Sequence, residues 1–312
     1  MTLIELFSGI GTQYQAFLDN DRTIQCIGIS EIDPRPLKVY SALFGSYNNF
    51  GDITKIEKLP YADIWTYSFP CTDLSIAGKQ EGFQGKNSSL IYEVYRLLQN
   101  SEKPKILIME NVSNITNTKF MPFFQDWINS LSELGYISTW KKIKAFQYGG
   151  ATIRERVFMI SILNTSTPYI FPSTIIPTTT LQDFLEPINK NYFIDTTSLQ
   201  DIDEKIFTGA KKLADYHNGG QGNRIYSTLA QGVTLTSTGG GKAGSSGGLY
   251  LREGGIYKLS PIEMCKVMGW NNDEAEKICA VLSPREVGFC LGNAIDRVVL
   301  SKIFSSLLEQ II

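Results

Sequence analysis

Four short clusters hold the residue types that could do chemistry. The first, Phe7-Ser8-Gly9-Ile10-Gly11, follows an apolar run. A glycine turn there lets backbone approach a ligand, and an acidic residue after the next strand can grip ribose hydroxyls. Glu31, about twenty residues on, fits that role. The dinucleotide fingerprint G-x-G-x-x-G needs glycine where Tyr14 stands, so the cluster reads as nucleoside-binding without being a nicotinamide site. A purely structural β-turn is the alternative. The second cluster is Ser68-Phe69-Pro70-Cys71-Thr72-Asp73-Leu74-Ser75. An isolated buried cysteine is usually an inert small hydrophobe. Cys71 lies instead in a Pro-Cys turn followed by Gly78, Gly82 and Gly85, which is the setting of a nucleophile with a mobile lid. In the third, Met109-Glu110-Asn111-Val112, a strand ends on a carboxylate; a helix cap or solvated strand end is the bland reading. The fourth, Thr152-Ile153-Arg154-Glu155-Arg156, sets two guanidinium groups before a strand, or is an exposed charged hairpin.

Composition narrows the chemistry further. The chain of 312 residues carries 29 Lys+Arg against 31 Asp+Glu, so a nucleic-acid partner would have to be met by a local basic groove. The one histidine, His217, cannot supply a multi-histidine metal centre. Cys26, Cys71, Cys265, Cys279 and Cys290 contain no C-x-x-C pair, and no metal is expected. Met1-Thr2-Leu3-Ile4-Glu5 has no leader pattern, and no apolar run is long enough to cross a bilayer; with the odd cysteine count, this reads as a cytoplasmic protein.

The elements that must position these clusters alternate. Strands are expected at Leu3 to Phe7, Gln25 to Ser30, Ile64 to Tyr67, Ile106 to Met109 and Val157 to Ile162. Helices are expected at Thr12 to Leu18, Pro34 to Phe44, Leu90 to Leu98 and Met121 to Leu134. Such alternation implies an α/β fold with a doubly wound, mostly parallel sheet, whose ligands bind at the C-terminal strand ends. Ser8-Gly9, Glu31, Asp52, Pro70-Cys71 and Glu110-Asn111 all fall there. The character of the chain changes near Pro168. Of 27 glycines, 12 lie between Gly219 and Gly255, interleaved with Tyr226, Leu229, Val233, Leu235, Leu249 and Tyr257, so that stretch reads as a compact, turn-rich β unit rather than a linker. Helical pattern returns at Ile262 to Met268 and Ile295 to Ile311.

Taken in order, the clusters resemble the DNA (cytosine-5) methyltransferase family. Its motifs are matched by Phe7-Ser8-Gly9-Ile10-Gly11, Glu31-Ile32-Asp33-Pro34, Gly51-Asp52-Ile53, Pro70-Cys71 with Ser75, Glu110-Asn111-Val112, Arg154-Glu155-Arg156, Leu259-Ser260-Pro261 and Gly292-Asn293. Each motif is unspecific, but the ordered set is specific and spans about Leu3 to Val299. Gly219 to Thr228, Thr234-Leu235 and Gly239-Gly240-Gly241 are similar to the HhaI methyltransferase subgroup.

The resemblance implies a Rossmann-like, S-adenosylmethionine-dependent methyltransferase sheet and a smaller glycine-rich target-recognition domain. The catalytic, cofactor-binding domain would comprise 1–187 and 284–312, and 188–283 the recognition domain and hinge. Cys71 would attack C6 of cytosine, Glu110 would hydrogen-bond N3 and the exocyclic amine, Arg156 would contact the base and orient Glu110, and Arg154 would brace the site. Cofactor contacts would come from Phe7, Gly9, Gly11, Glu31, Ile32, Asp52, Ile53, Pro70, Leu90, Asn293 and Ile295. Double-stranded DNA would meet Ser75, Lys79, Gln221, Arg224, Thr234 and Gly241, with Lys86, Lys242 and Arg252 as further candidates. The implied protein is a monomer of bacterial or phage origin, modifying a GC-centred palindrome (GCGC as first guess) alongside a cognate restriction endonuclease. Thr72, Thr152 and Ala294 depart from the common family residues Gln, Gln and Ser. Those departures keep a catalytically inactive base-flipping protein as the alternative, with a nucleotide-dependent oxidoreductase behind it.

Overall fold

The computed structural model describes residues 1–70 and 90–311. Cys71, Ser75, Lys79 and Lys86, with the glycines of the expected lid, lie outside the described residues. The larger sheet is built from β1 (Thr2–Leu6), β2 (Gln25–Ser30), β3 (Ile64–Tyr67), β4 (Ile106–Val112), β5 (Tyr136–Lys144) and β6 (Glu155–Leu163). Their order is β2-β1-β3-β4-β6-β5. The first four pair in parallel, and β6 runs antiparallel to both β4 and β5.

Strand periodicity explains how two helical layers hold this sheet. Successive side chains point to opposite faces, so a strand covered on both sides is mostly apolar. Ile4, Leu6, Trp65, Tyr67, Leu107 and Met109 form one face, packed under α3 (Ile91–Asn100) and α4 (Met121–Glu133). Leu3, Ile64, Ile106 and Ile108 form the other, packed against α1 (Thr12–Leu18) and α8 (Arg297–Ile311). On that second face Phe17 of α1 stacks on Phe304 of α8, ring centroids 3.6 Å apart. Helix α2 (Pro34–Phe44) begins where Asp33 accepts the Arg35 amide and proline occupies the first turn.

The smaller sheet has the order β7-β11-β10-β9-β8. It comprises β7 (Phe193–Thr196), β8 (Lys212–Asp215), β9 (Arg224–Ser227), β10 (Leu249–Arg252) and β11 (Gly255–Tyr257). Ile225, Ala243, Leu249, Leu251 and Ile256 make its own small core. Three helices follow: α5 (Pro261–Val267), α6 (Asn272–Val281) and α7 (Pro284–Asn293). Each opens with a capping box, formed by Ser260 with Glu263, Asn271 with Glu274, and Ser283 with Glu286. Their apolar faces join Val233, Leu235 and Tyr250 from the glycine-rich stretch to Ile10, in the turn after β1, and Val39 of α2. Strand β5 and helices α6 and α7 were not expected from the sequence, and β4 and β6 run past their expected ends. Among the described residues no helix is long and apolar enough to cross a membrane.

Candidate active site

The C-terminal ends of β1 to β4 surround a cavity of about 370 Å³. It begins at the turn after β1, where Phe7 and Gly9 both adopt positive φ, 57° and 56°. The bend aims the Gly9 amide at Glu31, and Glu31 Oε2 accepts it at 3.0 Å. Glu31 Oε1 accepts the amides of Ile32 and Asp33, each at 2.8 Å. Three backbone donors thus fix the carboxylate at the end of β2, with lone pairs left for hydroxyl donors. Ile32 beside it is 71% exposed, an apolar face offered to the cavity. Asp52 caps the turn Ile53–Lys55 through Oδ1, which accepts the Thr54 amide and hydroxyl at 3.0 and 2.8 Å.

The far wall is charged and buried. Glu110 lies on β4 opposite Phe158 of β6, and Arg156, two residues before Phe158, sends Nε to Glu110 Oε1 at 3.1 Å. Burial pushes the Glu110 carboxyl above the usual range, against the pull of Arg156, Arg154 and a hydrogen bond from Ser68. Asn111 donates from Nδ2 to the Phe69 carbonyl at 3.1 Å. That bond fixes the segment that leads through Pro70 to Cys71. Arg154 is buried, and its guanidinium donates to Leu235 O at 3.4 Å, to Gly292 O at 3.2 Å and to Ala294 O. It therefore ties the glycine-rich stretch to the end of α7 rather than facing Glu110 alone.

Phe7, Gly9, Glu31, Ile32, Asp52, Ile53, Pro70, Leu90, Asn293 and Ile295 all line this one cavity, as do Glu110, Arg154 and Arg156. Gly11 does not. It caps α1 at φ 79°, and a Cβ there would lie 2.4 Å from the Phe44 ring and 2.8 Å from that of Tyr40, so its glycine serves helix packing. Gln221, Arg224, Thr234 and Gly241 lie outside the cavity, on and around the smaller sheet, with Gln221, Arg224 and Gly241 exposed. A second cavity of about 480 Å³, between Glu186 and α5 to α7, contains none of the expected site residues. Phe289 and Cys290 line the first cavity without having been expected to, and Ser68 and Asn111, named in the clusters but given no role of their own, line it as well. Asn111 had a signal in its place beside Glu110; Phe289 and Cys290 had only the capping box that opens α7.

The profile of C-5 cytosine-specific DNA methylases matches residues 1–309. The chain is 33% identical over 279 residues to the type II methyltransferase M.HhaI of Haemophilus parahaemolyticus, covering 86% of this chain and 84% of that one. It is also 33% identical over 274 residues to the type II methyltransferase M2.ScrFI of Lactococcus lactis subsp. cremoris, covering 84% and 71%. The fold matches that of the Entamoeba histolytica methyltransferase EhMeth with a TM-score of 0.79 at 17% identity, over 100% of this chain and 99% of the other. The cavity at the strand ends thus belongs to an enzyme scaffold of known kind, and the chain is a member of the C-5 cytosine-specific DNA methylase family.

Proposed function

We propose that this protein transfers a methyl group from S-adenosylmethionine to C5 of a cytosine flipped out of duplex DNA. The observation that carries the reading is the buried Glu110, with its raised carboxyl and Arg156 at 3.1 Å, in one cavity with the Glu31 cradle and the segment leading to Cys71. The cavity suits the cofactor. Its volume is in the range for small-molecule sites, about 300–1,000 Å³. Glu31 would take the ribose hydroxyls, Ile32 the purine face, and the free Asp52 oxygen the exocyclic amine. Ser8 Oγ, buried without a hydrogen-bond partner, is an orphan that a polar ligand atom would satisfy. When bound, S-adenosylmethionine supplies an electrophilic methyl on sulfur.

Cytosine C5 is a poor nucleophile within its aromatic ring. The Cys71 thiolate adds to C6 and makes C5 an enamine carbon. Glu110 holds a proton toward N3, where charge develops, and its burial keeps that proton available. Arg156 fixes the carboxyl from the side and limits its rotation. After methyl transfer a water-derived base removes the C5 proton, the C6–S bond breaks, and the thiolate leaves. None of this can occur within the stack, which is why the base must be extruded.

The division into a catalytic unit (1–187 and 284–312) and a recognition unit with hinge (188–283) belongs to the same reading. Gln221 enters the vacated stack, Arg224 reads a guanine, and the site is a GC-centred palindrome, GCGC in the first instance. The type II names of its relatives favour a restriction-modification setting with a paired endonuclease. DNA carrying 5-fluorocytosine tests the reading. That base cannot lose its C5 substituent after methyl transfer, so an adduct should survive denaturation in the wild type and vanish in Cys71→Ser. A full-strength adduct in Cys71→Ser would overturn the assignment.

A further inference from the structure

We infer that Asn223 is a positioning residue for target readout, acting as a buckle between two glycine-rich loops. The inference rests on the reading that Gln221 and Arg224 meet DNA. Both are exposed, and Asn223 lies between them in sequence. The stretch that carries Gln221 has little intrinsic order, since Gly219, Gly220 and Gly222 all take positive φ of 71°, 92° and 79°. Glycines lose the most conformational freedom when ordered. Something must therefore hold this loop if Gln221 and Arg224 are to reach defined places.

Asn223 uses both ends of its side chain to do so. Its Nδ2 donates to Gly219 O at 3.1 Å, closing its own loop on itself. Its Oδ1 accepts the backbone amide of Lys242 at 2.9 Å, in the second loop. The backbone continues the seam, with the Ala243 amide donating to Gly222 O at 2.9 Å. The loops approach so closely that a Cβ on Gly222 would lie 1.7 Å from the Gly240 carbonyl oxygen, and one on Gly241 would lie 2.4 Å from Asn223 Oδ1. Both side-chain hydrogen bonds of Asn223 go to backbone within the protein, and its work is to order the loops before DNA arrives. Ordering in advance removes a cost from specific binding and leaves the chemistry in the other unit untouched.

Such a residue affects discrimination at every position the loops read, whereas a direct base contact affects one. The test is methylation of a duplex library in which each base around the target cytosine is varied singly, read by bisulfite sequencing. Asn223→Ala and Gly222→Ala are compared with Gln221→Ala, Arg224→Ala and wild type. Both loop variants should lower discrimination by about tenfold or more at all read positions together. Their affinity for S-adenosylhomocysteine, measured by calorimetry, should match that of wild type. Loss at a single base pair in Asn223→Ala would make it a base-contact residue and overturn the inference, as would unchanged discrimination. If Gln221→Ala and Arg224→Ala both leave the site preference intact, the underlying reading of the loops fails, and the inference with it.

Discussion

Glu5 has no role in the reaction, yet the structure gives it a measurable one in stability. It sits on β1, fully buried, and accepts the Tyr40 hydroxyl at 2.7 Å and the Tyr14 amide at 3.0 Å. The Cys26 thiol is 3.9 Å away. Loss of solvation outweighs these hydrogen bonds and pushes its carboxyl from the usual 4.5 up to about 7. The native state therefore holds a proton that the unfolded chain releases between those two values. A folded-state pKa raised in this way gives stability that is complete below pH 4.5 and lost as pH rises through about 7. Each pH unit of that interval is worth ~1.4 kcal/mol, so Glu5 should remove ~2–3 kcal/mol between about pH 5 and about pH 8. Glu5→Gln keeps an acceptor for the Tyr14 amide but cannot ionise. Urea unfolding of both proteins across that range isolates the effect, because Asp296, pushed up to about 6 by burial, is common to both. The wild type should lose stability relative to Glu5→Gln as pH rises. Parallel curves would refute the argument that an ionisable carboxylate is buried on β1 just before the glycine turn.

Glu110→Gln should cut methyl transfer by about 10²–10⁴-fold while weakening DNA binding far less, since the amide reaches the base but cannot act as an acid at N3; single-turnover kinetics with a filter-binding control check this. Arg224→Ala should cost ~1–3 kcal/mol of discrimination at one guanine, with a smaller loss on non-specific DNA, in competition binding. Bisulfite sequencing of DNA modified in a host lacking cytosine methylation should place methylated cytosines after guanine, and a majority elsewhere would refute the GC-centred site.

The larger sheet was legible because strands buried on both faces read as short, nearly continuous apolar runs, as in Ile106-Leu107-Ile108-Met109. Strand β5 was not, because an edge strand mixes Ser138, Thr139, Lys141 and Lys142 with Tyr136, Trp140 and Ile143, and no apolar run stands out. Helix α7 was hidden by its own glycines. A Cβ on Gly288 would lie 2.4 Å from Ser245 Cβ, and one on Gly292 2.2 Å from the Ser237 amide nitrogen. Close approach of the glycine-rich stretch overrides helix propensity there, and Phe289 and Cys290 went unseen with the helix that carries them. Gly11 teaches the complementary lesson. Its sequence context signals a close approach, but only packing reveals how near the Tyr40 and Phe44 rings come to it. Phe7, Glu31 and Pro70 were readable as cavity residues because each follows a strand of the parallel part of the sheet, where ligands of such sheets bind.

The central claim is that the methyl goes to C5 of cytosine, and tritium tests it directly. Duplex DNA labelled with tritium at cytosine C5 is incubated with the purified protein and S-adenosylmethionine. Each methyl transferred should release one tritium to water, at a matched rate, and Cys71→Ser should release none. Methyl incorporation without tritium release, or tight DNA binding with neither event, would contradict the account.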